Sequence, residues 1–177
     1  MGGNTDGTMI IEGRARVFGD DVNSDYIISS RRKRATIDES QLRQFLLEAI
    51  DPAFAASVRP GDILVAGRNF GGGSAMETAV TVIQASGIRA VLARTFARSF
   101  YRNAINNGLV AVECDTTRID EGLGLRIHVD AATSQVRDLV RGVEVAGRPM
   151  PEIMQRILAH GGLVGFLRAG ERFGETA

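Results

Sequence analysis

The chain has 177 residues, 44% of them hydrophobic, and its 21 basic and 21 acidic side chains leave no formal net charge. These values are typical of one soluble globular domain with a full core, and they exclude a basic nucleic-acid-binding arm or an acidic tail. The single cysteine, Cys114, excludes an intrachain disulfide framework and a cysteine-ligated cluster held by this chain alone. No apolar run approaches the ~20 residues of a membrane span and no signal peptide is visible, so we expect a cytoplasmic protein without membrane or nucleic-acid partners.

One domain is expected over residues 9–168. Residues 1–8 are predicted to be a flexible lead-in, and residues 169–177 a polar tail. Besides Cys114, the only thiol or imidazole side chains are those of His128 and His160. This scarcity argues against a zinc site, so no metal ligand is expected in this chain.

The first part of the chain predicts a strand, a turn and a helix. Alternating apolar and polar residues predict a strand over Met9–Val17. The turn cluster Gly19–Asp25 contains three aspartates but lacks the order of an EF-hand calcium loop. The basic run Ser29–Arg34 is either a solvated loop or a binder of a carboxylate or phosphate, because arginine offers a bidentate fork. Helical spacing then predicts a helix over Ile37–Ala49, with Asp38 as a possible cap.

A glycine-rich turn lies at the centre of the sequence. It follows a predicted buried strand, Ile63–Ala66, and consists of Gly71, Gly72 and Gly73. Ser74 stands where a helix N-cap belongs, and Glu77 completes a capping box. Gly87 is the expected end of the helix.

Two interpretations of this turn remain open from the local pattern. Three glycines let the backbone approach a ligand and direct N–H groups at it. The hydroxyl of Ser74 would lie at the positive end of the helix dipole, a place to hold an anion or to activate the serine. The alternative is a tight turn with an ordinary helix cap.

The next elements predict a parallel sheet. Ile88–Ala93 and Leu109–Glu113 are apolar strands, separated by a helix over Phe96–Asn106 that Thr95 would cap. Right-handed crossovers are the expected connections, and active sites of such units lie at the carboxyl ends of the strands, where the glycine turn falls.

Three arginines recur at helical spacing near the start of this helix. Arg94, Arg98 and Arg102 are interpreted as a solvated face or a partner-binding face, in preference to a substrate site.

The last third predicts short strands and one helix. The strands Leu125–Val129, Gln135–Val140 and Val143–Val145 indicate a small antiparallel sheet. A helix over Glu152–Ala159 follows, and Leu163–Leu167 is either a strand or a helix extension. The expected fold class is therefore α/β, with a central strand–helix–strand unit and a small additional β-sheet.

Motifs from about Gly13 to Leu167 match one family. They are Gly13-Arg-Ala-Arg-Val-Phe-Gly-Asp20, Asn23-Ser-Asp25, Arg59-Pro-Gly-Asp62, Val65-Ala-Gly67, Asn69-Phe-Gly71, Gly73-Ser74, Gly87-Ile-Arg-Ala-Val91, Ser99-Phe-Tyr-Arg-Asn-Ala-Ile-Asn-Asn-Gly-Leu109, Glu113-Cys114 and Gly161-Gly-Leu163. In this order they resemble the small subunit of isopropylmalate dehydratase and homoaconitase, the swivelling domain of the aconitase superfamily.

The resemblance implies a swivelling β/β/α domain that closes over a larger partner subunit. In the family that partner carries a [4Fe–4S] cluster whose open iron binds a small hydroxy-carboxylic acid, so this chain itself would bind no cofactor. The resemblance makes Ser74 the base that removes a proton next to a carboxylate, on a turn whose glycines, Gly71 to Gly73, face the substrate. Asp25 matches the family's catalytic aspartate. Arg31 matches the arginine of its substrate-recognition loop.

The central motif departs from the family pattern at four positions. Relatives typically have Gly-Cys-Gly-Ser-Ser-Arg-Glu-His where this chain has Gly71-Gly-Gly-Ser-Ala-Met-Glu-Thr78. Met76 replaces an arginine that would grip a substrate carboxylate, and losing such a charge-assisted pair costs on the order of 2–5 kcal/mol. The departure predicts one of three things: an isopropylmalate-like substrate that lacks this carboxylate, another arginine that grips it, or a site that no longer catalyses.

Three classes of function follow. The first is a hydro-lyase or isomerase subunit, cytoplasmic and heteromeric, with a homo-oligomer possible for the isolated chain. The second is a non-catalytic regulatory or binding homologue, suggested by Met76 and Ala75. The third, nucleotide binding, fits poorly because the turn lacks both the P-loop ending and a G-x-G-x-x-G pattern.

Overall fold

The computed structural model describes residues 9–74, 77–129 and 134–173. The strands are β1 (Met9–Val17), β2 (Ile63–Ala66), β3 (Ala90–Ala93), β4 (Val110–Glu113), β5 (Gly124–Val129), β6 (Ser134–Asp138) and β7 (Glu144–Gly147). The helices are α1 (Ser24–Ile27), α2 (Ser30–Ala35), α3 (Glu39–Leu42), α4 (Phe54–Ser57), α5 (Glu77–Ala85), α6 (Arg98–Asn106), α7 (Glu152–Ala159) and α8 (Leu163–Arg168), with 3-10 turns at Arg43–Phe45 and Thr116–Arg118.

All seven strands form one sheet, in the order β4-β3-β2-β1-β5-β6-β7. The strand β1 joins its two halves. Its last residues pair parallel with β2, Ala15 opposite Ile63, while its first residues pair antiparallel with β5, Met9 opposite Val129. The predicted α/β class is confirmed, but the antiparallel strands continue the parallel sheet instead of forming a separate one, because β1 offers each half a different edge.

The sheet curls until its two outer strands meet. An isolated antiparallel bridge joins Cys114, just after β4, to Gly147 at the end of β7. The backbone N–H of Arg148 also donates to the carbonyl of Glu113 at 2.7 Å. This contact covers part of both open edges, which would otherwise offer unpaired backbone groups to other chains.

Helices cover both faces of the parallel half. Alternate residues of β2 and β3 point into two different core clusters, and all residues of both strands are buried. Leu64 and Val91 pack with α5 and the segment before β2, whereas Ile63 and Leu92 pack with α7, α8 and the inner face of β5 and β6. Burial on both faces explains why these strands are continuous apolar runs in the sequence.

The helix predicted over Ile37–Ala49 is wrong beyond its first turns. The helix α3 ends at Leu42, a 3-10 turn follows, and Leu47 adopts a left-handed backbone with φ 57°. Its amide donates to the carbonyl of Ile27 at 2.9 Å, and both Leu46 and Leu47 are fully buried. A continuous helix could not direct two adjacent leucines into the core and also join the chain to α1. The predicted cap is confirmed, since Asp38 accepts from the amide of Ser40.

The structure decides three further local predictions. The basic run is the short helix α2, capped by Ser29, and not a loop. The helix α6 begins at Arg98 without a side-chain cap, because the hydroxyl of Thr95 accepts instead from the amide of Asn69 at 2.8 Å. The segment after Gly162, predicted as either a strand or a helix extension, is helical and forms a separate helix, α8.

Other boundaries agree with the sequence. The strands β1 and β2 and the helix α7 have the predicted limits, and Gly87 ends the helix α5 with φ 84°. Residues 1–8 and 174–177 lie outside the described residues, so the flexible lead-in and the last four residues of the polar tail stay predictions. Among the helices that the structure describes, none has the length and apolar character needed to cross a membrane.

Candidate active site

Three loops meet at the carboxyl ends of the parallel strands β1, β2 and β3. Several backbone hydrogen bonds connect them. The loop after β1 bonds to the glycine turn after β2 through Asp21 N to Arg68 O (2.8 Å) and Gly71 N to Val22 O (2.7 Å). The glycine turn bonds in the other direction to the loop after β3, through Phe70 N to Thr95 O (3.0 Å). This interlocking holds the turn in place at the edge of the sheet.

The aspartates of the first loop serve this framework. The carboxylate of Asp20 accepts from the amide of Arg68 at 2.6 Å, and the carboxylate of Asp21 accepts from the side-chain amide of Asn69 at 2.9 Å. Asp21 and Asn69 both adopt left-handed backbones with φ 58°, which aspartate and asparagine tolerate better than most residues. The cluster is thus a structural clamp, in agreement with the absence of an EF-hand pattern.

The glycines of the turn are required by packing. Gly71 has φ 77°, and a Cβ atom there would lie 2.2 Å from the ring of Phe100. Gly73 has φ 90°, and its missing Cβ faces the hydroxyl of Ser24 at 3.3 Å. Larger residues would push the turn away from α6 and from α1.

The turn uses only part of its backbone for the fold. The Gly71 amide donates to Val22, so it is not available to a ligand as the sequence suggested. The carbonyl of Gly72 accepts from the amide of Ser24 at 2.7 Å. Within the described residues, neither the Gly72 nor the Gly73 amide donates a hydrogen bond to another residue, and these two remain candidates for binding an anion.

Ser74 lies exposed at the end of the turn. The described part of helix α5 begins three residues later, at Glu77. Ala75 and Met76 lie outside the described residues, so the position of Met76 relative to the site stays a prediction. The capping box between Ser74 and Glu77 stays a prediction for the same reason.

Asp25 is placed beside the turn by the helix α1. This helix starts at Asn23, whose side chain caps it by accepting from the amide of Tyr26. The carboxylate of Asp25 accepts from the hydroxyl of Ser30 at 2.8 Å and lies 3.4 Å from the ammonium of Lys33. The hydrogen bond from Ser30, with a smaller contribution from Lys33, lowers the pKa of Asp25 below its ordinary value of 3.8. Asp25 is therefore a carboxylate at neutral pH.

The four basic side chains of α2 divide into two groups. Arg32 forms two hydrogen bonds with the carboxylate of Glu48, at 2.9 and 3.0 Å, and its guanidinium stacks 3.6 Å above the ring of Phe45. Lys33 lies against Asp25. Arg31 and Arg34 are exposed, and among the described residues neither forms an ion pair. Of the basic run, Arg31 is thus one of the two side chains left for an anionic ligand.

Ser24 is a residue of this region that the sequence did not single out. Its side chain is 1% exposed, and its hydroxyl has no hydrogen-bond partner among the described residues although it faces Gly73. No local signal distinguishes such a serine from an ordinary turn residue. Only the approach of the glycine turn, distant in sequence, buries it.

Cys114 is not part of a reactive site. It is buried at the bridge to β7, and burial, together with the nearby charge of Asp115, raises its pKa to about 12. The thiol is therefore protonated at neutral pH and is a poor nucleophile or metal ligand.

Comparison with known proteins identifies the fold and the family. The model of the aconitase C-terminal domain matches residues 26–117. The 3-isopropylmalate dehydratase small subunit 1 of Methanopyrus kandleri is 45% identical over 90% of this chain and 93% of its own length. A crystal structure of 3-isopropylmalate dehydratase from Methanocaldococcus jannaschii superposes with a TM-score of 0.84 at 40% identity, over 92% of this chain and 95% of that one.

A second curated relative has a broader name. The isopropylmalate/citramalate isomerase small subunit of Methanocaldococcus jannaschii is 41% identical over 90% of this chain and 94% of its own length. The relatives thus match almost end to end, and the match includes all three loops that form the candidate site. The chain therefore belongs to the aconitase superfamily, in the family of isopropylmalate dehydratase small subunits, which act as parts of heteromeric hydro-lyases.

Proposed function

We propose that this chain supplies the catalytic base to a hydro-lyase that removes water from an isopropylmalate-like hydroxy acid and returns it at the neighbouring carbon. One observation carries the proposal. The exposed Ser74 leaves the glycine turn at the carboxyl ends of three parallel strands, against the segment that carries the ionised Asp25. This combination of a serine, a carboxylate and a rigid turn suits abstraction of a proton next to a carboxylate.

Ser74 is proposed as the base. A serine hydroxyl titrates far above neutral pH, so it acts as a base only where fixed donors stabilise its alkoxide. The free amides of Gly72 and Gly73 are such donors within the turn. The N-terminus of α5 would add a favourable dipole if the helix extends back to Ser74.

Asp25 and Arg31 are proposed to act on either side of the reacting atoms. The carboxylate of Asp25 is held by Ser30 and Lys33, so its orientation is fixed before substrate binds. The guanidinium of Arg31 is exposed on α2, one residue from Ser30, and can pair with a substrate carboxylate through two hydrogen bonds. Together they would orient the acid so that the proton to be removed faces Ser74.

We propose that a large partner subunit holds the [4Fe–4S] cluster. The described residues contain no group of three potential ligands, and the buried Cys114 is a poor one, so these residues do not fit a cluster. In the partner, the open iron of the cluster would bind the hydroxyl and one carboxylate of the substrate. The contribution of this chain is then to bind the rest of the substrate, to orient it and to exchange its proton.

The substrate is proposed to differ from isopropylmalate near Met76. A thioether cannot replace the bidentate grip of an arginine on a carboxylate. The acid would therefore carry an apolar group at that position, or another arginine such as Arg31 would hold its carboxylate. A cytoplasmic location and a homo-oligomer of the isolated chain also stay proposals.

The test is turnover by the reconstituted complex with the cluster-bearing subunit from the same genome. Ser74→Ala should lower kcat on the preferred hydroxy acid by roughly 10²- to 10⁴-fold, the range expected for loss of a positioned base. Ser40→Ala is the matched control, since Ser40 is an exposed serine that bonds only Asp38 at the start of α3. Its turnover should equal that of the wild-type chain.

Two outcomes would contradict the proposal. Wild-type turnover by the Ser74→Ala complex would remove Ser74 as the base. Assembly without turnover, across a panel of hydroxy mono- and diacids and with the cluster intact, would favour the non-catalytic homologue instead.

A further inference from the structure

A groove of about 730 Å³ lies between the helices α6 and α7, beside the candidate active site. Its floor is apolar and is built by both helices and the segment before α6. The apolar lining includes Phe96, Tyr101, Ile105, Ile153 and Met154. A surface of this composition, with aromatic rings, methionine and a charged rim, resembles the centre of a protein interface more than an ordinary solvated face.

One face of the helix α6 packs into the core, and another lines the groove. Phe100 and Ala104 pack into the core that supports the glycine turn. The residues at positions 98, 101, 102 and 105, which lie on another face at helical spacing, line the groove. The two arginines on this face are therefore presented together with apolar side chains.

The rim of the groove is positively charged. Arg98 and Arg102 are exposed on successive turns of α6, and neither forms an ion pair with any residue that the structure describes. Arg148 stands on the opposite rim with its side chain 78% exposed, and it lies 3.0 Å from Glu113, the one acidic residue of the lining. The carboxylate of Glu113 is thus already engaged, which leaves two uncompensated positive charges over an apolar floor.

The groove adjoins the site through stacked rings. Phe96, in the floor, stacks on Phe100 with ring centroids 6.0 Å apart. Phe100 in turn lies directly below Gly71, where a Cβ atom would come within 2.2 Å of its ring. Only the rings of Phe96 and Phe100 separate the glycine turn from the groove. A partner that covers the turn can therefore also reach the groove.

We propose that this groove docks a segment of the cluster-bearing subunit that carries apolar side chains flanked by carboxylates. The inference rests on the proposed function, because it assigns a surface to the partner which that function requires. Charge complementarity selects the occupant: its carboxylates pair with Arg98 and Arg102 while its apolar side chains cover the floor. An amphipathic helix laid into a groove is a common way to achieve this arrangement.

The test measures binding of the purified cluster-bearing subunit to the wild-type chain and to Arg98→Glu/Arg102→Glu. At low salt the double variant should bind roughly 10- to 100-fold more weakly, because two attractions become repulsions. Wild-type affinity should fall between about 0.05 M and about 0.5 M salt, and that of the variant should not. Both substituted residues are exposed, and thermal melting of the isolated variant should match the wild-type chain.

The matched control is Arg59→Glu/Arg89→Glu, which makes the same change in charge. These exposed arginines precede β2 and β3 and lie at the amino ends of the strands, opposite the site. The control should change affinity by less than about threefold at low salt. Met154→Glu, which places a carboxylate on the apolar floor, should weaken binding as the double variant does.

Distinct results would overturn each idea. If the wild-type chain binds the partner and Arg98→Glu/Arg102→Glu binds equally well, the docking site is wrong while the proposed function stands. Equal weakening by the control would show a general charge effect and also overturn the site. A change only in self-association of this chain would assign the groove to a second copy. If the wild-type chain itself does not bind the partner, the proposed function fails.

Discussion

The two halves of the sheet are built by different means. In the parallel half, loops distant in sequence are tied to one another, as where Gly71 bonds to Val22 and Phe70 to Thr95. In the antiparallel half, neighbouring strands pair in chain order through short connections. The turn before β7 is held locally, because the carboxylate of Asp138 accepts from the amides of Val140 and Arg141.

This difference explains where the candidate site lies. Parallel strands need long crossovers, so their carboxyl ends collect loops from separate parts of the chain. Such loops can bring a serine, an aspartate and a basic helix together. Hairpins between antiparallel strands bring together only residues that are close in sequence. The described residues of these hairpins include no such combination of a serine, an aspartate and a basic helix.

The largest expected effect comes from adding one methyl group to the glycine turn. Gly71→Ala would force a Cβ against the ring of Phe100 at a left-handed backbone position, so it should cost on the order of 4 kcal/mol of stability and disrupt the site. Gly124→Ala is the control in the antiparallel half, where the nearest atoms lie 3.8 Å away. Chemical denaturation of both variants measures the contrast. If Gly71→Ala and Gly124→Ala were equally stable, the proposed difference between the two halves of the sheet would be contradicted.

A smaller effect is expected at the junction of the halves. Asp62 is buried beside β1 and accepts from Arg14 at 2.8 and 3.2 Å and from Arg16 at 3.4 Å. Asp62→Asn should destabilise the fold by about 2 kcal/mol, since it weakens charge-assisted hydrogen bonds in the interior. Asp120→Asn is the control, an exposed carboxylate paired with Arg141 in the antiparallel half, and it should cost less than about 1 kcal/mol.

The junction also predicts a dependence on pH. Burial alone would raise the pKa of Asp62, but the hydrogen bonds from Arg14, the Arg59 amide and Arg16 outweigh it and hold that pKa below 3.8. The carboxylate of Asp62 therefore adds to the free energy of unfolding above the pKa of Asp62 in the unfolded state. This contribution is lost as pH falls through the pKa of Asp62 in the folded state. Denaturation curves at neutral and acid pH should show the gap between wild type and Asp62→Asn closing in acid. A constant gap would contradict this account.

The smallest expected effect concerns the protonation of Asp25. Ser30→Ala removes the hydrogen bond that contributes most to lowering the pKa of Asp25, so that pKa should rise. If the carboxylate form is needed, the acid limb of kcat/KM against pH should move to higher pH while activity at neutral pH changes little. Ser40→Ala, whose hydroxyl bonds to Asp38 outside the site, should leave the profile in place. Superimposable profiles for Ser30→Ala and wild type would contradict this account. They would mean either that Asp25 takes no part in the reaction or that Ser30 does not set the pKa of Asp25.

Local patterns determined much of this protein. Sequence patterns alone were sufficient to predict the limits of three elements. These are the alternation over Met9–Val17, the apolar run Ile63–Ala66 and the helical periodicity of Glu152–Ala159. The reason is that each element buries either one face or all of its side chains, and the spacing of apolar residues in its sequence shows which. The order of motifs along the chain also identified the family.

The tertiary structure decided what depends on contacts between distant residues. The helix expected over Ile37–Ala49 breaks because Leu46 and Leu47 are both drawn into the core and Leu47 bonds to Ile27. The small antiparallel sheet joins the parallel one because β1 has two edges, and it curls until Gly147 meets Cys114. No local propensity encodes these pairings, since their free energy comes from burial and hydrogen bonds between segments that meet only after folding.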